Sequence, residues 1–323
     1  MRRREFIALV GGAAAFASTS TSAQEPGRIY RLGFLIPTAR DAAVITAFFD
    51  ELRAAGFAEG QNLSILPGGF GVPVEQIDQI AKAMVKATPD AIVAGPELQL
   101  RALQALTRTI PLIGMTEDMV ADGLVASLAH PGGNITGISL LSPELDGKRQ
   151  DILIEAVPGL RRMAALADAN VTPAAHLDDL RSAARARGIE LSTVGVATPD
   201  RIVPAIDEAK ASGAQAINFL ATPLFFVNRR MVFERVAKVL LPAIYQWPEM
   251  AEEGGLAGYG SRFTHVYRQR ARIVANVLRG TNPADIPVEQ PTRFELVINL
   301  KAAKAIGHVV PADLVLRADQ VIE

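Results

Sequence analysis

Apolar and polar positions along this chain fall into two alternating rhythms. Short, nearly continuous apolar runs occur at "YRLGFLIP" (30–37), "NLSILP" (62–67), "DAIVAG" (90–95) and "PLIGM" (111–115). Runs of that length and composition predict strands buried on both faces. Between them the apolar residues take helical spacing. Val44, Ile45, Phe48, Phe49 and Leu52 form one stripe, and Ile77, Ile80, Met84 and Val85 another. Gly56 and Pro89 close these stretches, as helix-ending residues do.

The rhythm pauses over "AHPGGNITGISLLSPEL" (129–145), a Gly-rich passage that reads as a turn between two halves, with Asn134 suited to left-handed geometry. It then restarts with strands at "MAALADA" (163–169), "IELSTVGV" (189–196), "AQAINFLA" (214–221) and "LPAIYQW" (241–247). Helical spacing returns around Ile202, Ile206 and Ala209. "GGLAGYGSRFTHVY" (254–267) is a second candidate crossover, because a helical stripe of Val266, Ile273, Val274, Val277 and Leu278 follows it. A third lies near "PVEQPTRF" (287–294). Strand and helix in alternation mean parallel sheets covered on both faces. The chain is therefore expected to be α/β, with two similar units hinged as a clamshell around a ligand cleft.

The first residues belong to neither rhythm. Arg2, Arg3 and Arg4 precede an apolar stretch from Phe6 to Ala17, and Thr21-Ser22-Ala23 supply small residues before Gln24. This is the layout of a cleaved export signal, and the paired arginines before Glu5-Phe6-Ile7 fit the twin-arginine type. The apolar stretch is too short to span a bilayer, which takes about 20 residues. No cysteine follows it, so a lipoprotein is not expected. Residues 1–23 are expected to be removed, leaving a periplasmic protein.

Composition narrows the function classes. The formal net charge is −1 over 323 residues, which is no footprint for nucleic acid. With 49% hydrophobic residues and no cysteine, the fold must stand on its core. His130, His176, His265 and His308 have no partner at metal-ligand spacing. "GYGS" (258–261) is not a nucleophile elbow, and "GKR" (147–149) lacks the rest of a phosphate loop. "GGFG" (68–71) follows a second strand without dinucleotide-loop spacing and reads as a surface turn. No catalytic residue, metal site or cofactor is expected.

What remains is the set of strand C-termini, where open α/β sheets hold their ligands. Candidate ligand-binding residues there are Thr38, Glu97, Thr116, Asp118, Ser142, Asn170, Thr222, Phe225, Tyr245 and Trp247. The hydroxyls could meet a carboxylate or simply cap helices. Trp247, the only tryptophan, could stack on a flat ligand or serve the core, and Phe225 is a similar candidate.

At "GLVASLAHPGGNITGIS" (123–139) the chain resembles the ABC-transporter substrate-binding proteins that include tryptophan- and phenylalanine-type binders. The likeness continues through "LDGKRQDILIEAVPGLRRMAAL" (145–166) and "LPAIYQWPEMAEEGGLAGYG" (241–260), and it is most specific at "PVEQPTRFELVINLKAAKAIG" (287–307). Within that tail "FELVINL" reads as a buried strand and "KAAKAIG" as a short helix closed by glycine. The resemblance implies a periplasmic binding-protein fold of the first class, with two Rossmann-like lobes and three crossovers. The expected lobes are residues 29–137 with about 262–290, and 138–260 with about 291–323. It further implies delivery of a small solute to an inner-membrane ABC permease; a monomer and an aromatic or amino-acid-like, carboxylate-bearing solute are expected. Two positions depart from the family pattern: Met119 follows Asp118 where a proline is usual, and Pro248 stands where an arginine is expected. Two other readings stay open, an exported two-domain enzyme with a bound cofactor and a ligand-sensing module for a membrane receptor. A cytoplasmic repressor of similar fold would need a DNA-binding headpiece and no export signal.

Overall fold

The computed structural model describes residues 27–140 and 142–323, with backbone only at 142 and 143. The expected export signal at 1–23 lies outside the described residues. The first sheet contains β1 (Tyr30–Leu35), β2 (Leu63–Ile65), β3 (Ala91–Ala94), β4 (Leu112–Thr116) and β5 (Ile135–Ser139), all parallel in the order β2-β1-β3-β4-β5. The second contains β6 (Arg162–Asp168), β7 (Glu190–Val196), β8 (Ala216–Phe219), β9 (Ala243–Tyr245), β10 (Ala257–Gly260), β11 (Glu295–Asn299) and β12 (Gln320–Ile322). Its order is β12-β11-β10-β9-β8-β6-β7, with β11 antiparallel to β10. Two lobes of Rossmann-like, parallel-dominated α/β structure result.

Alternation along each strand divides the core by face. In the first sheet Leu32, Phe34, Val93 and Ile113 pack with α1 (Ala43–Ala54), whereas Leu35, Ile92, Ala94 and Leu112 pack with α2 (Ile77–Lys86) and α3 (Glu97–Gln104). In the second, Leu166, Ile217 and Phe219 meet α6 (Ile202–Ala211), α7 (Pro223–Val227) and α8 (Arg229–Val239). Met163, Ala165 and Ala216 face the opposite way. They meet α4 (Ser142–Ala156), α5 (Ala174–Ala186), and the later α11 (Leu300–Ala305) and α12 (Ala312–Leu316). α9 (Pro248–Glu252) follows β9, and α10 (Phe263–Leu278) follows β10 but packs on α1 and the first sheet.

The Gly-rich passage is more than a turn. Residues 135–139 form β5, and the left-handed backbone that starts the passage is Gly132 (φ 79°), not Asn134. Asn134 donates its side-chain amide to the Ile110 carbonyl at 2.7 Å. The apolar rhythm hides β5 because Thr136, Gly137 and Ser139 interrupt it. Gly137 is required there: it sits at φ 146°, and a Cβ would lie 2.1 Å from the Gly114 carbonyl oxygen of β4. Thr136 is buried with its hydroxyl donated to Ile286 O at 2.8 Å.

The chain passes between lobes at one edge. β5 ends at Ser139 and leads into α4, and β10 ends at Gly260 and leads into α10. Glu289 bridges Ile138 beside β5, and the chain then enters β11 at Glu295. Since β11 runs antiparallel to β10, its N-terminal end shares the edge where β10 terminates. The C-terminal edges of both parallel arrays therefore face the crossovers and each other.

Gly137→Ala is expected to lower the unfolding free energy by about 2–4 kcal/mol, combining forced backbone strain with a backbone clash. Urea unfolding of the variant beside the parent checks this; a change under about 0.5 kcal/mol would mean that β4 and β5 can part at no cost.

Candidate functional site: the edge between the lobes

On the first lobe, Thr38 follows β1 half-buried, with its Oγ1 3.2 Å from the Tyr267 hydroxyl of α10. Thr116 ends β4 and is buried. Glu97 opens α3 and pairs with Arg101 at 2.5 Å. Asp118 is exposed, and its Oδ1 accepts the Val120 and Ala121 amides at 3.0 Å each, so this carboxylate shapes a turn. Met119 supplies an amide that proline lacks, and donates it to Ser139 Oγ at 3.4 Å. Asp122 has its pKa raised, first by burial, with Glu97 and Asp118 adding and the Thr116 hydroxyl and Arg101 opposing.

The second lobe's edge is a hydrogen-bonded lattice. Thr222 caps α7 by accepting the Leu224 amide at 3.2 Å, and donates to Asp168 Oδ2 at 2.9 Å. Its own amide donates to Gln246 Oε1 at 2.6 Å. Asn170 is exposed; its amide donates to Asp168 Oδ1, and its side chain to Ala197 O at 2.9 Å. Beneath them Asp146 accepts from Arg149 at 2.8 Å and from the Ala221 amide at 3.1 Å, with His176 Nε2 at 3.1 Å. Arg149 also donates to Tyr259 O at 2.8 Å and Gln246 O at 3.1 Å. Its pKa is lowered by burial, with Asp146 opposing.

The aromatic candidates separate. Tyr245 stacks on Phe219 at 5.2 Å and meets Phe233 edge-on, and Phe225 packs edge-on to Phe219 at 5.3 Å. Both are core residues in this state, and burial pushes the Tyr245 hydroxyl pKa up. Trp247 lies instead at the crossover, its ring tilted on Phe263 at 4.6 Å, with Phe226 and Tyr267 edge-on to the same Phe263. The Trp247 Nε1 atom is buried without a partner, as is Ser261 Oγ nearby in sequence to Phe263. The Ser142 side chain lies outside the described residues.

Two residues at this edge carry no motif in the sequence. Glu249 accepts the Phe263 amide at 2.8 Å through Oε1 and so caps α10, while its Oε2 is buried without a partner. Arg270 of α10 is wholly buried and donates through Nη2 to the carbonyls of Ala94 and Ile113. Its sequence signal is positional: it falls on the stripe Phe263, Val266, Tyr267, Ile273, Val274 and Val277, where an apolar residue is expected. Among the described residues no group of three His, Asp or Glu could hold a metal ion, and no helix is long and apolar enough to cross a membrane. An apolar pocket between α11 and α12, lined by Leu300, Ala303, His308, Val310 and Val315, lies past the far end of β11, away from the crossovers.

Four similarities to known proteins span most of the chain. The model of the family described as ABC transporter substrate binding protein matches residues 37–322. A tyrosine-binding protein of Clostridioides difficile (strain R20291) is 26% identical over 264 residues, 80% of this chain and 75% of that protein. Among solved structures, a conserved domain protein of Vibrio cholerae is 25% identical with a TM-score of 0.79, covering 91% of this chain and 99% of its own. A protein from Streptococcus pneumonia solved in complex with L-Trp is 21% identical with a TM-score of 0.76, over the same shares.

Burial raises the Glu249 pKa above its ordinary value. The unfolded chain therefore ionises first as pH rises, and folding loses stability from the unfolded value up to the folded one. Glu249→Gln keeps the Oε1 acceptor and removes the ionisation. Its unfolding midpoint relative to the parent should be higher at pH 7 than at pH 4. A midpoint difference that is flat with pH would show that Glu249 is as well solvated folded as unfolded.

Proposed function

The chain belongs to the ABC transporter substrate-binding protein family, and from that premise we propose that it captures an amino-acid-like or aromatic carboxylate between its lobes and hands it to an ABC permease. The observation that carries this reading is that the C-terminal edges of the two sheets oppose each other across the crossovers. This is where α/β sheets bind small solutes. The tyrosine and L-Trp named for two relatives support an aromatic amino acid as the solute class.

In this reading the protein works outside the inner membrane, having been exported by the residues 1–23 signal. The lobes sway about the crossovers, and a solute touching both edges draws them together in proportion to its preference for the closed state. The permease reads the closed outline. Trp247 supplies the apolar wall, and Thr38 and Thr116 face the polar end of the solute. Thr222 and Asn170, committed to Asp168, hold the opposite wall in shape.

A thermal-unfolding screen of the purified, ligand-stripped protein tests the reading against amino acids, aromatic acids, sugars and nucleosides. L-tryptophan or L-tyrosine at one hundred times its dissociation constant is expected to stabilise the protein by about 2.7 kcal/mol, with sugars and nucleosides inert. Stabilisation by a sugar or nucleoside and by no amino acid would sink the solute class. Trp247→Phe should retain most of the affinity if the indole serves as a wall, and lose about tenfold if its N–H bonds the solute.

A further inference from the structure

Both crossover helices carry a buried arginine at their eighth position, Arg149 in α4 and Arg270 in α10. Each uses its guanidinium to hold the carbonyls of two residues on or next to neighbouring strands. Arg149 reaches Tyr259 and Gln246, and Arg270 reaches Ala94 and, at 2.7 Å, Ile113. Arg149 also carries its counter-charge three residues earlier, in the Asp146 carboxylate at 2.8 Å. The equivalent position before Arg270 is Tyr267.

Arg270 accordingly makes no ion pair among the described residues, and its Nε and Nη1 are buried without partners. Burial lowers its pKa to about 10, so the guanidinium is still charged at neutral pH. A buried cation lacking its counter-ion is costly to a fold, and unsatisfied buried groups ask for a missing partner. The position of this one is informative. Ala94 closes β3, Ile113 belongs to β4, and the Tyr267 hydroxyl lies 3.2 Å from Thr38, three residues past β1. The guanidinium thus lies one helical turn from the Tyr267–Thr38 hydroxyl pair, on the face of the first sheet near the C-terminal end of β3.

We propose that Arg270 receives the carboxylate of the captured solute, with the Tyr267 and Thr38 hydroxyls beside it. The proposal deepens the function stated above and rests on it for the solute's being an acid. The guanidinium donates in several directions, so a carboxylate can accept a charged hydrogen bond from Nη1 or Nε while Nη2 stays on the two strand carbonyls. Arg270 is closed to solvent in this structure, beneath α10 on the first sheet, so the carboxylate reaches it only where that packing opens.

The test pairs acids with their decarboxylated analogues in calorimetric titration of the full protein: L-tryptophan with tryptamine, L-tyrosine with tyramine. The parent should prefer the acid by about tenfold or more, a charged hydrogen bond's worth. Arg270→Gln should weaken acid binding by about ten- to a hundredfold, leaving the amine unchanged. Tyr267→Phe, which deletes one hydroxyl, should weaken the acid alone by a smaller factor. If Arg270→Gln folds and keeps the acid preference, Arg270 merely ties two strands and the proposal falls. If it fails to fold, Tyr267→Phe decides: a loss confined to the acids supports the receptor, and a uniform loss or none overturns it. Benzoate and indole-3-acetate separate the two readings. A response to them that Arg270→Gln abolishes, with no response to either amino acid, keeps the anion receptor and removes the amino-acid solute. No response of the parent to any of these acids removes both.

Discussion

The contact on which the two lobes depend is that of Trp247 on Phe263, 4.6 Å between ring centres. Trp247 ends the β9 connection in one lobe, and Phe263 begins the helix that the chain sends into the other. Tyr267, one turn later, meets Phe263 edge-on and reaches Thr38, three residues past β1. One apolar core therefore runs from Tyr245 and Phe219 through Trp247, Phe263 and Tyr267 to Ile113 and Phe34. Crossovers made of backbone alone would leave the lobes free to take many orientations. A ring stack at the start of α10 limits them to those that keep Phe263 covered, which favours hinge motion over independent tumbling.

The second lobe's edge is held by a polar network. In the second lobe Asp146, Arg149, Asp168, Thr222 and Gln246 bond one another or the backbone around them. Such networks rigidify the elements they join. Buried side-chain atoms without a hydrogen-bond partner occur on both sides, on Gln150 and Asn218 in the second lobe, on Gln99 and Arg270 in the first, and on Trp247, Glu249 and Ser261 at the second crossover. The buried cation among them, Arg270, is the one that lacks a counter-charge among the described residues.

Much of this was legible in the sequence, and the exceptions have physical causes. The strands at 30–37, 90–95 and 163–169 were visible because burial on both faces demands unbroken apolar runs. β5 was obscured because its place between β4 and the residue 286–289 segment requires Gly137 and a buried Thr136, which break the pattern. Aromatic residues near strand ends could not be sorted by spacing. Tyr245 and Trp247 are two residues apart, yet the first stacks inside its lobe and the second bridges out of it. Arg270 escaped notice because an arginine in a helix reads as surface unless its place on the apolar stripe is weighed.

The departure at position 248 bears on where positive charge is held. The resemblance leads one to expect an arginine there, but Pro248 is buried as the first residue of α9, a place that suits proline's fixed φ and missing amide. The neighbouring Arg262 is occupied by Glu252 and Glu295 at 2.5 and 2.6 Å, and also donates to Gln320, which ties the second crossover to the third. Arg149 is balanced by Asp146. Position 248 thus gives its stability to the α9 turn, Arg262 to the hinge and Arg149 to the rigid wall. With these three positions committed, Arg270 differs from them in that carbonyls alone hold its buried guanidinium.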